Sequence, residues 1–349
     1  MSLYKNFVFP FLRFVDAETA HNLTLSALSR AQSSAFGISR LKRIAGELPH
    51  KPVEIAGLKF PNIIGVAAGF DKDSRVVEGL IQLGFGHVEV GTLTPHPQRG
   101  NVRPRVFRLP AEKAVINRMG FPNGGIMDAL PRLEKLALQN RKGILGVSLG
   151  KQKETPLDKA GDDYSMVMGH AYPYADYFAV NISSPNTPQL RELQHGNYLG
   201  DLVGRLKSEA RTLARRLGVK ERPLFVKIAP DMEEDDLDQI IFTLIASQVD
   251  GIIATNTTIS RDGVASPRGK QSGGLSGQPI RDKSDAMIYK IARKTEGSLP
   301  IIGVGGVQNA QDVVKKLDAG ASLVQLYTGM IFEGPAIAGN ILREIYPFD

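Results

Sequence analysis

Eight short apolar segments, each ended by glycine or small polar residues, constrain the fold of this 349-residue chain more than any other feature. A helical pattern follows nearly every segment, and such alternation is typical of a parallel β-sheet. Eight strand–helix units predict an α/β fold in the form of a closed (β/α)8 TIM barrel. An open doubly wound sheet is the alternative, but no G-x-G-x-x-G motif follows the first strand. The predicted strands cover residues 62–67, 87–91, 144–149, 177–182, 224–228, 251–255, 301–304 and 323–327, and the predicted helices cover 74–83, 197–217, 233–248, 280–295, 309–318 and 335–345.

Residues 1–50 differ in character from residues 51–349, and we expect them to form a small helical extension in front of the barrel domain. Asp16 is predicted to be the N-cap of a helix. A small hairpin at 53–55 and 58–60 is predicted to open the second part of the chain.

The apolar N-terminal run is too short to cross a bilayer, and Pro10 interrupts it, unlike a signal peptide. Apolar helix faces with a basic rim fit two interpretations. They either rest in a membrane interface or form a helical cap packed on the barrel. The apolar set is Phe7, Phe11, Phe14, Leu23, Phe36, Ile38 and Leu41, and the basic rim is Lys5, Arg13, Arg30, Arg40, Lys42 and Arg43.

The composition excludes several functional classes. Cysteine is absent, which rules out disulfides, thiolate metal sites, iron–sulfur clusters and a thiol nucleophile or base. The six histidines are scattered, no H-E-x-x-H motif occurs, and acidic residues are rare at the strand ends, so no metal site is predicted. The formal net charge is +7, but basic and acidic residues are interleaved, which argues against nucleic-acid binding. An anionic cofactor, substrate or membrane surface accounts for the excess of positive charge.

Active sites of such barrels lie at the carboxyl ends of the strands, so the residues there are the candidate site. Two long insertions, at 93–122 and 256–279, lie on the same face and are expected to be functional. The strand ends carry, in order, the stretch 67–72, Thr92, Ser148 with Lys151, Asn181, Lys227, the stretch 255–257, the glycines of 303–306, and Tyr327 with Thr328 and Gly329.

The segment 179–188 is the sharpest local signal, because an apolar strand ends there in small polar side chains and two prolines. Pro185 and Pro188 favour extended conformations at Ser184 and Thr187, so the loop should hold its hydroxyls and amides in fixed directions. The alternative is a turn that caps its own backbone. His195 follows nearby and is interpreted as a surface histidine in preference to a titrating group of the site.

Glycines after the seventh and eighth strands, together with Thr328, match the phosphate cradle of such barrels. The alternative is that these glycines only make tight turns. Because they occur after both strands, we predict a phosphate-bearing cofactor. The remaining groups are lysines, amides and a serine, which suit a planar, anionic, heterocyclic substrate beside a redox cofactor.

Seven motifs, in order along nearly the whole chain, resemble those of the class 2, quinone-dependent dihydroorotate dehydrogenases. They lie at residues 67–72 (AAGFDK), 117–121 (NRMGF), 181–187 (NISSPNT), 226–230 (VKIAP), 254–258 (ATNTT), 273–277 (GGLSG) and 302–306 (IGVGG). The resemblance implies an FMN enzyme of pyrimidine biosynthesis that oxidises (S)-dihydroorotate to orotate and reduces ubiquinone or menaquinone. It also implies a monomeric, peripheral membrane protein that docks through residues 1–45, on the cytoplasmic side of the inner membrane if bacterial.

The resemblance also implies roles for individual residues. Ser184 would be the base that removes the C5 proton while hydride leaves C6 for flavin N5, and Thr187 would relay the proton with a water. Lys72 would pair with the substrate carboxylate, and Lys227 would stabilise the anionic reduced flavin. The implied substrate residues are Lys72, Asn117, Arg118, Met119, Gly120, Phe121, Asn181, Asn186, Asn256 and Thr257. The implied FMN residues are Ala68, Gly69, Phe70, Asp71, Lys72, Thr92, Ser148, Asn181, Lys227, Thr255, Gly277, Gly306, Tyr327 and Thr328.

One residue departs from the family pattern. The family usually has asparagine where this chain has Ser148, and that amide contacts the flavin. A hydroxyl is shorter and has one donor instead of two, so a contact of about 1 kcal/mol is lost or bridged by water. We therefore expect somewhat weaker flavin retention.

Two other functions are alternatives to this one. A class 1, soluble dihydroorotate dehydrogenase uses cysteine as base and lacks the N-terminal extension, and this chain has no cysteine. A non-catalytic flavin- or phosphate-binding barrel that docks on membranes is the second alternative, and Ser184, Lys72 and Asn117 argue against it.

Overall fold

Eight parallel strands close into a barrel at the centre of the protein. The computed structural model describes residues 4–194 and 197–348. Within them the barrel order is β3-β4-β7-β8-β9-β10-β12-β13, closed by pairing of β13 with β3. The predicted TIM barrel is confirmed, and the open-sheet alternative is wrong. The strands are β1 (Val53–Ile55), β2 (Leu58–Phe60), β3 (Ile64–Val66), β4 (His87–Leu93), β5 (Val106–Leu109), β6 (Ala114–Asn117), β7 (Ile144–Leu149), β8 (Tyr177–Asn181), β9 (Leu224–Ile228), β10 (Gly251–Ala254), β11 (Gly274–Gly277), β12 (Ile301–Val304) and β13 (Leu323–Leu326).

Helices cover the outside of the barrel and connect its strands. Every residue of β8, β9 and β10 is buried, because side chains fill the barrel interior and helices cover the outer face. Strands buried on both faces appear in a sequence as continuous apolar runs, which is the pattern that predicted them. The α-helices are α1 (Phe9–Leu12), α2 (Ala17–Gln32), α3 (Ala35–Ala45), α4 (Val77–Gln82), α5 (Ile126–Leu138), α6 (Ala160–Ala171), α7 (Asn197–Leu217), α8 (Glu234–Ala246), α9 (Arg281–Lys294), α10 (Ala310–Asp318), α11 (Thr328–Glu333) and α12 (Ile337–Ile345).

Most predicted elements are confirmed, and the differences have local causes. The helix predicted at 74–83 begins only at Val77, because the Asp71 carboxylate accepts the backbone N–H groups of Arg75 and Val76. Helices α5 and α6 were not predicted. Pro131 lies inside α5, and proline argues against a helix when only the sequence is read. The segment after β13 forms α11 before α12, and Gly334 separates them at φ +90°.

The two long insertions form a small antiparallel sheet that the sequence did not predict. Strand β6 pairs with β5 on one side and with β11 on the other. β5 and β6 come from the insertion at 93–122, and β11 comes from the insertion at 256–279. The two insertions therefore brace each other at the carboxyl face of the barrel.

The N-terminal helices pack on the barrel and also present an apolar surface. Asp16 caps α2 as predicted, since its carboxylate accepts the Thr19 N–H at 2.9 Å. Leu28 of α2 and Leu41 of α3 belong to the same buried core as the barrel. In the other direction the side chains of Phe7, Phe11, Phe14, Leu23 and Phe36 are exposed by between 57% and 79%. The division at residue 50 stays a prediction, because the core is continuous across it.

Candidate active site

A pocket opens at the carboxyl ends of the barrel strands, as expected for this fold. Every barrel strand except β7, or the residues directly after it, contributes to the wall, and so do β6 and β11. The structure brings together these predicted residues: Ala68, Gly69, Lys72, Thr92, Asn117, Met119, Gly120, Phe121, Asn181, Ser184, Asn186, Lys227, Thr255, Asn256, Thr257, Gly277, Gly306, Tyr327 and Thr328.

Phe70 and Asp71, implied as cofactor residues, direct their side chains elsewhere. The Asp71 carboxylate accepts the N–H of Arg75 at 2.8 Å and of Val76 at 2.7 Å, and burial raises its pKa. The Phe70 ring packs edge-on against Tyr327 and lines a second cavity. Contact of Phe70 and Asp71 with a cofactor therefore stays a prediction, while the Asp71 side chain caps its own turn and the Phe70 ring lines the second cavity.

Arg118 and Ser148 lie behind the pocket wall. Arg118 donates to Gln271 Oε1 at 2.9 Å and to the Pro104 carbonyl at 3.0 Å, so it ties the two insertions together. Ser148 is fully buried, and its hydroxyl lies 2.9 Å from the hydroxyl of Thr92. Thr92 lines the pocket and Ser148 does not, so Ser148 touches the pocket wall through Thr92, and direct contact of Ser148 with a cofactor stays a prediction.

Asparagine side chains form linked hydrogen bonds in the pocket wall. Asn186 Nδ2 donates to Asn117 Oδ1 at 3.1 Å, and Asn256 Nδ2 donates to Asn181 Oδ1 at 3.3 Å. Asn181 Nδ2 in turn donates to Thr92 Oγ1 at 2.9 Å. Because the amides hold one another, their remaining donors and acceptors are oriented before a ligand arrives. Such a wall suits a planar ligand with several polar edges.

Ser184 lies in the pocket wall with 6% of its surface exposed. Its hydroxyl oxygen accepts the backbone N–H of Asn186 at 3.2 Å, which stabilises negative charge that develops on that oxygen. The Thr187 hydroxyl is buried and has no hydrogen-bond partner within the part of the chain described. None of the described residues that line the pocket is an Asp, Glu or His. Among these residues, the candidate bases besides the lysines are hydroxyl groups.

Another edge of the pocket is built from backbone. Gly277 and Gly306 adopt φ angles of +98° and +76°, a region that favours glycine. A Cβ on Gly277 would lie 2.3 Å from the Lys113 carbonyl oxygen, and one on Gly306 would lie 2.3 Å from the Arg281 Cβ. Both positions therefore require glycine, and their contact with a phosphate stays a prediction.

Hydroxyl groups complete this edge. Thr328 opens α11, and its hydroxyl lies 2.8 Å from that of Ser276. The Thr255 hydroxyl is buried and has no partner among the described residues, as expected for a group that bonds a ligand. A backbone edge next to these hydroxyls fits a phosphate-bearing cofactor.

Lys72 and Lys227 are the charged side chains among the described residues that line the pocket. Lys72 Nζ donates to the Gly69 carbonyl at 2.7 Å and lies 3.5 Å from His21 Nε2. Burial lowers the pKa of Lys72 to about 8 and that of His21 to about 3, so His21 is neutral. Lys227 Nζ lies 3.8 Å from Glu89 Oε1. The pocket is therefore positive and attracts anions.

A second cavity of about 630 Å³ lies between the N-terminal helices and the barrel. Its walls are mainly apolar side chains of α1, α2 and α3. Lys72, Asn117, Met119 and Tyr327 line this cavity and the first pocket as well. One layer of side chains therefore separates the pocket from the second cavity.

Sequence reasoning missed several residues of these walls. Gln325 lines the pocket, and His21 lines the second cavity. Gln325 lies within the apolar run Leu-Val-Gln-Leu, and a polar residue inside a buried strand was the signal for it. Ser276 lies within one of the recognised motifs and was overlooked. His195 lies outside the residues that the structure describes.

Two kinds of feature are absent from the described ranges, 4–194 and 197–348. No helix there is long and apolar enough to span a membrane. No group of three or more His, Asp or Glu residues there has the arrangement of a metal site.

The chain matches known proteins over nearly its whole length. The family model described as dihydroorotate dehydrogenase matches residues 51–348. A relative from Shewanella loihica, named dihydroorotate dehydrogenase (quinone), is 46% identical over 329 residues, and the match covers 94% of each chain. A relative of the same name from Stenotrophomonas maltophilia is 47% identical over 337 residues, covering 96% of this chain and 94% of the relative.

Solved structures agree. DHODH from Eimeria tenella in complex with ferulenol has a TM-score of 0.87 at 35% identity, covering 97% of this chain and 93% of that one. The ligand-free form has a TM-score of 0.84 at 35% identity, covering 95% and 94%. These matches define a flavin-dependent barrel oxidoreductase. The chain belongs to the dihydroorotate dehydrogenase family, in its quinone-dependent class.

Proposed function

We propose that this protein oxidises (S)-dihydroorotate to orotate in pyrimidine biosynthesis, with FMN as hydride acceptor and a membrane quinone as final electron acceptor. The observation that carries the proposal is the pocket itself. It combines a glycine and hydroxyl edge, a wall of linked amides, one serine and two lysines, without a lining carboxylate. The charge and shape of these groups suit a phosphate-bearing cofactor beside an anionic, planar substrate.

The backbone edge with Thr328 and Thr255 would hold FMN, which when bound accepts a hydride at its ring system. Lys227 would supply positive charge to the bound ring system, since its ammonium lines the pocket and makes no hydrogen bond within the described chain. The complete set proposed from the wall is Ala68, Gly69, Thr92, Asn181, Lys227, Thr255, Gly277, Gly306, Tyr327 and Thr328.

Lys72 would bind the substrate carboxylate, because it is the other cation in the wall and already lies in a fixed hydrogen bond with Gly69. The amides of Asn117, Asn186 and Asn256 would bond the edges of the pyrimidine ring. Their mutual hydrogen bonds restrict rotation, so the substrate is oriented without further ordering of the wall.

Ser184 would remove the substrate proton. A serine is a weak base unless a neighbour stabilises the charge and takes the proton onward. The Asn186 N–H supplies the first function at 3.2 Å, and the unpartnered Thr187 hydroxyl is available for the second. Phe121 lines the pocket and would help to exclude bulk water.

The second cavity would admit the quinone. Its apolar walls suit an isoprenoid quinone, and the residues that it shares with the pocket bring such a quinone close to the bound flavin. The exposed phenylalanines of residues 1–45, next to Arg13 and Arg40, would rest in an anionic membrane interface. We propose a monomer on the cytoplasmic side of a bacterial inner membrane, with ubiquinone or menaquinone as acceptor.

Anaerobic mixing of the yellow protein with dihydroorotate tests the proposal. We expect the flavin absorbance to bleach and to return on addition of a soluble quinone, but not of fumarate or NAD. Faster reoxidation by fumarate or NAD would keep the substrate and contradict the quinone assignment. Bound flavin that dihydroorotate does not bleach would favour the non-catalytic barrel.

A further inference from the structure

A group of polar side chains lies inside the barrel behind the pocket wall. Glu89 of β4, Tyr177 of β8, Lys227 of β9 and Gln325 of β13 come from four strands and meet at the barrel axis. Lys227 and Gln325 line the pocket, whereas Glu89 and Tyr177 are fully buried behind them. Barrel interiors are usually filled by branched apolar residues, so a buried carboxylate here calls for a reason.

The two oxygens of Glu89 have different surroundings. Oε2 accepts the Tyr177 hydroxyl at 3.2 Å and Gln325 Nε2 at 3.0 Å. Oε1 has no hydrogen-bond partner within the described residues and lies 3.8 Å from Lys227 Nζ. That separation is too long for a hydrogen bond but close enough for strong attraction in a buried site. The ammonium hydrogens of Lys227 therefore stay free to donate into the pocket.

Electrostatics assigns Glu89 a task that packing alone does not. Burial disfavours a charged lysine by up to about 3–5 pKa units, and a nearby carboxylate offsets this loss. The side chains of Lys227 and Glu89 are only 6% and 0% exposed, so water compensates neither charge well. Burial and the Glu89 charge raise the pKa of Tyr177 well above its ordinary value, so Tyr177 remains a neutral donor to the carboxylate.

We propose that Glu89 is a positioning residue that balances the buried charge of Lys227 and keeps its ammonium aimed into the pocket, so that the bound flavin faces a cation. This inference rests on the proposed function, because it assumes that FMN occupies the pocket. In wild type the carboxylate of Glu89 balances the buried ammonium of Lys227. With a neutral side chain at position 89 this balance is lost, and we expect one further proton to be taken up at this site when a bound flavin is reduced.

The other titratable groups that face this pair do not produce the same signal. Burial raises the pKa of Tyr327 to about 12 and lowers that of His87, on the same strand as Glu89, to about 3. Asp176, next to Tyr177, is paired with Arg141. Lys72 titrates near pH 8 across the pocket, but it is present in every protein compared. The difference between two variants therefore isolates Lys227.

The test is the midpoint potential of bound FMN as a function of pH in wild type and in Glu89→Gln, which removes the charge with little change of shape. One additional proton per two electrons makes the variant's potential fall more steeply with pH, by about 30 mV per pH unit relative to wild type. Equal slopes in the two proteins would overturn the proposal. The titration uses a chemical reductant, so it is independent of whether dihydroorotate is the substrate.

Matched variants distinguish charge from packing. Glu89→Asp keeps the carboxylate and should show the wild-type slope, even where thermal unfolding shows lower stability. Tyr177→Phe removes a hydroxyl from the same group but keeps both charges, and it should also show the wild-type slope. In Glu89→Gln with Lys227→Met the added steepness should disappear, because no ammonium remains to titrate. A steeper slope in Glu89→Asp or Tyr177→Phe would show that packing, not charge, sets the signal and would refute the inference.

Discussion

Replacing Ser184 by alanine removes the proposed base while leaving the lysines, amides and glycine edge of the pocket in place. General-base assistance typically contributes about 10²- to 10⁴-fold, which corresponds to about 2.7–5.5 kcal/mol of barrier. We expect the rate of flavin reduction by dihydroorotate to fall by this factor. FMN should still bind, and orotate affinity should change by only a few-fold, because the Asn117, Asn186 and Lys72 contacts remain.

The same substitution has a structural cost that must be separated from the catalytic one. The Asn186 N–H donates to Ser184 Oγ at 3.2 Å and loses that partner in Ser184→Ala. An unpaired buried donor costs about 1–3 kcal/mol of stability, less if water reaches it. Thermal unfolding of the FMN-loaded protein should therefore show a lower midpoint with a single cooperative transition.

Rapid anaerobic mixing with dihydroorotate, followed by flavin absorbance, measures the reductive step without quinone. Ser183→Ala is the matched control, since Ser183 is the adjacent buried hydroxyl and bonds the amides of Asn181 and Asn256 but does not line the pocket. We expect it to weaken orotate binding modestly and to slow reduction far less than Ser184→Ala. A near-normal reduction rate in Ser184→Ala, or equal losses in the two variants, would refute the assignment of the base.

Lys72, the N-terminal segment and Ser148 each allow a further test. The KM for dihydroorotate should be level below about pH 8 and rise above it, because Lys72 loses the proton that binds the carboxylate. Steady-state assays across this pH range check the prediction, and a KM that does not change with pH would count against the pairing of Lys72 with the carboxylate. Deleting residues 1–45 should spare flavin reduction by dihydroorotate but impair quinone reduction, and it should lower the thermal unfolding midpoint because Leu28 and Leu41 leave the core. Equal loss of both reactions would contradict the division of roles between the barrel and the N-terminal segment. Ser148→Asn should tighten FMN binding by about 5-fold, because the amide restores a contact of about 1 kcal/mol. Fluorescence titration with FMN measures the affinity, and an unchanged affinity would argue against this contact.

Much of the fold and of the pocket could be predicted from local patterns. The runs 224–228 and 301–304 match β9 and β12 residue for residue, because strands buried on both faces are mainly apolar, with Lys227 as the one charged residue of β9. The polar groups at the strand ends could be predicted once the strands were recognised. In a parallel barrel every such end lies on one face, so Asn181, Lys227 and Thr255 meet once the strands are recognised.

The sequence by itself determined the alternation of strands and helices, the glycine edge and the identity of the lining lysines, amides and serine, because each is encoded in periodicity or in a short motif. Only the tertiary structure decided which side chains face the ligand. It directs Asp71 into its own turn, pairs β6 with β11 across the two insertions, and sets Glu89 against Lys227. The Asp71 contacts span only four and five residues. The other two join residues that lie far apart in the chain, and the tertiary fold, not any local preference, brings them together.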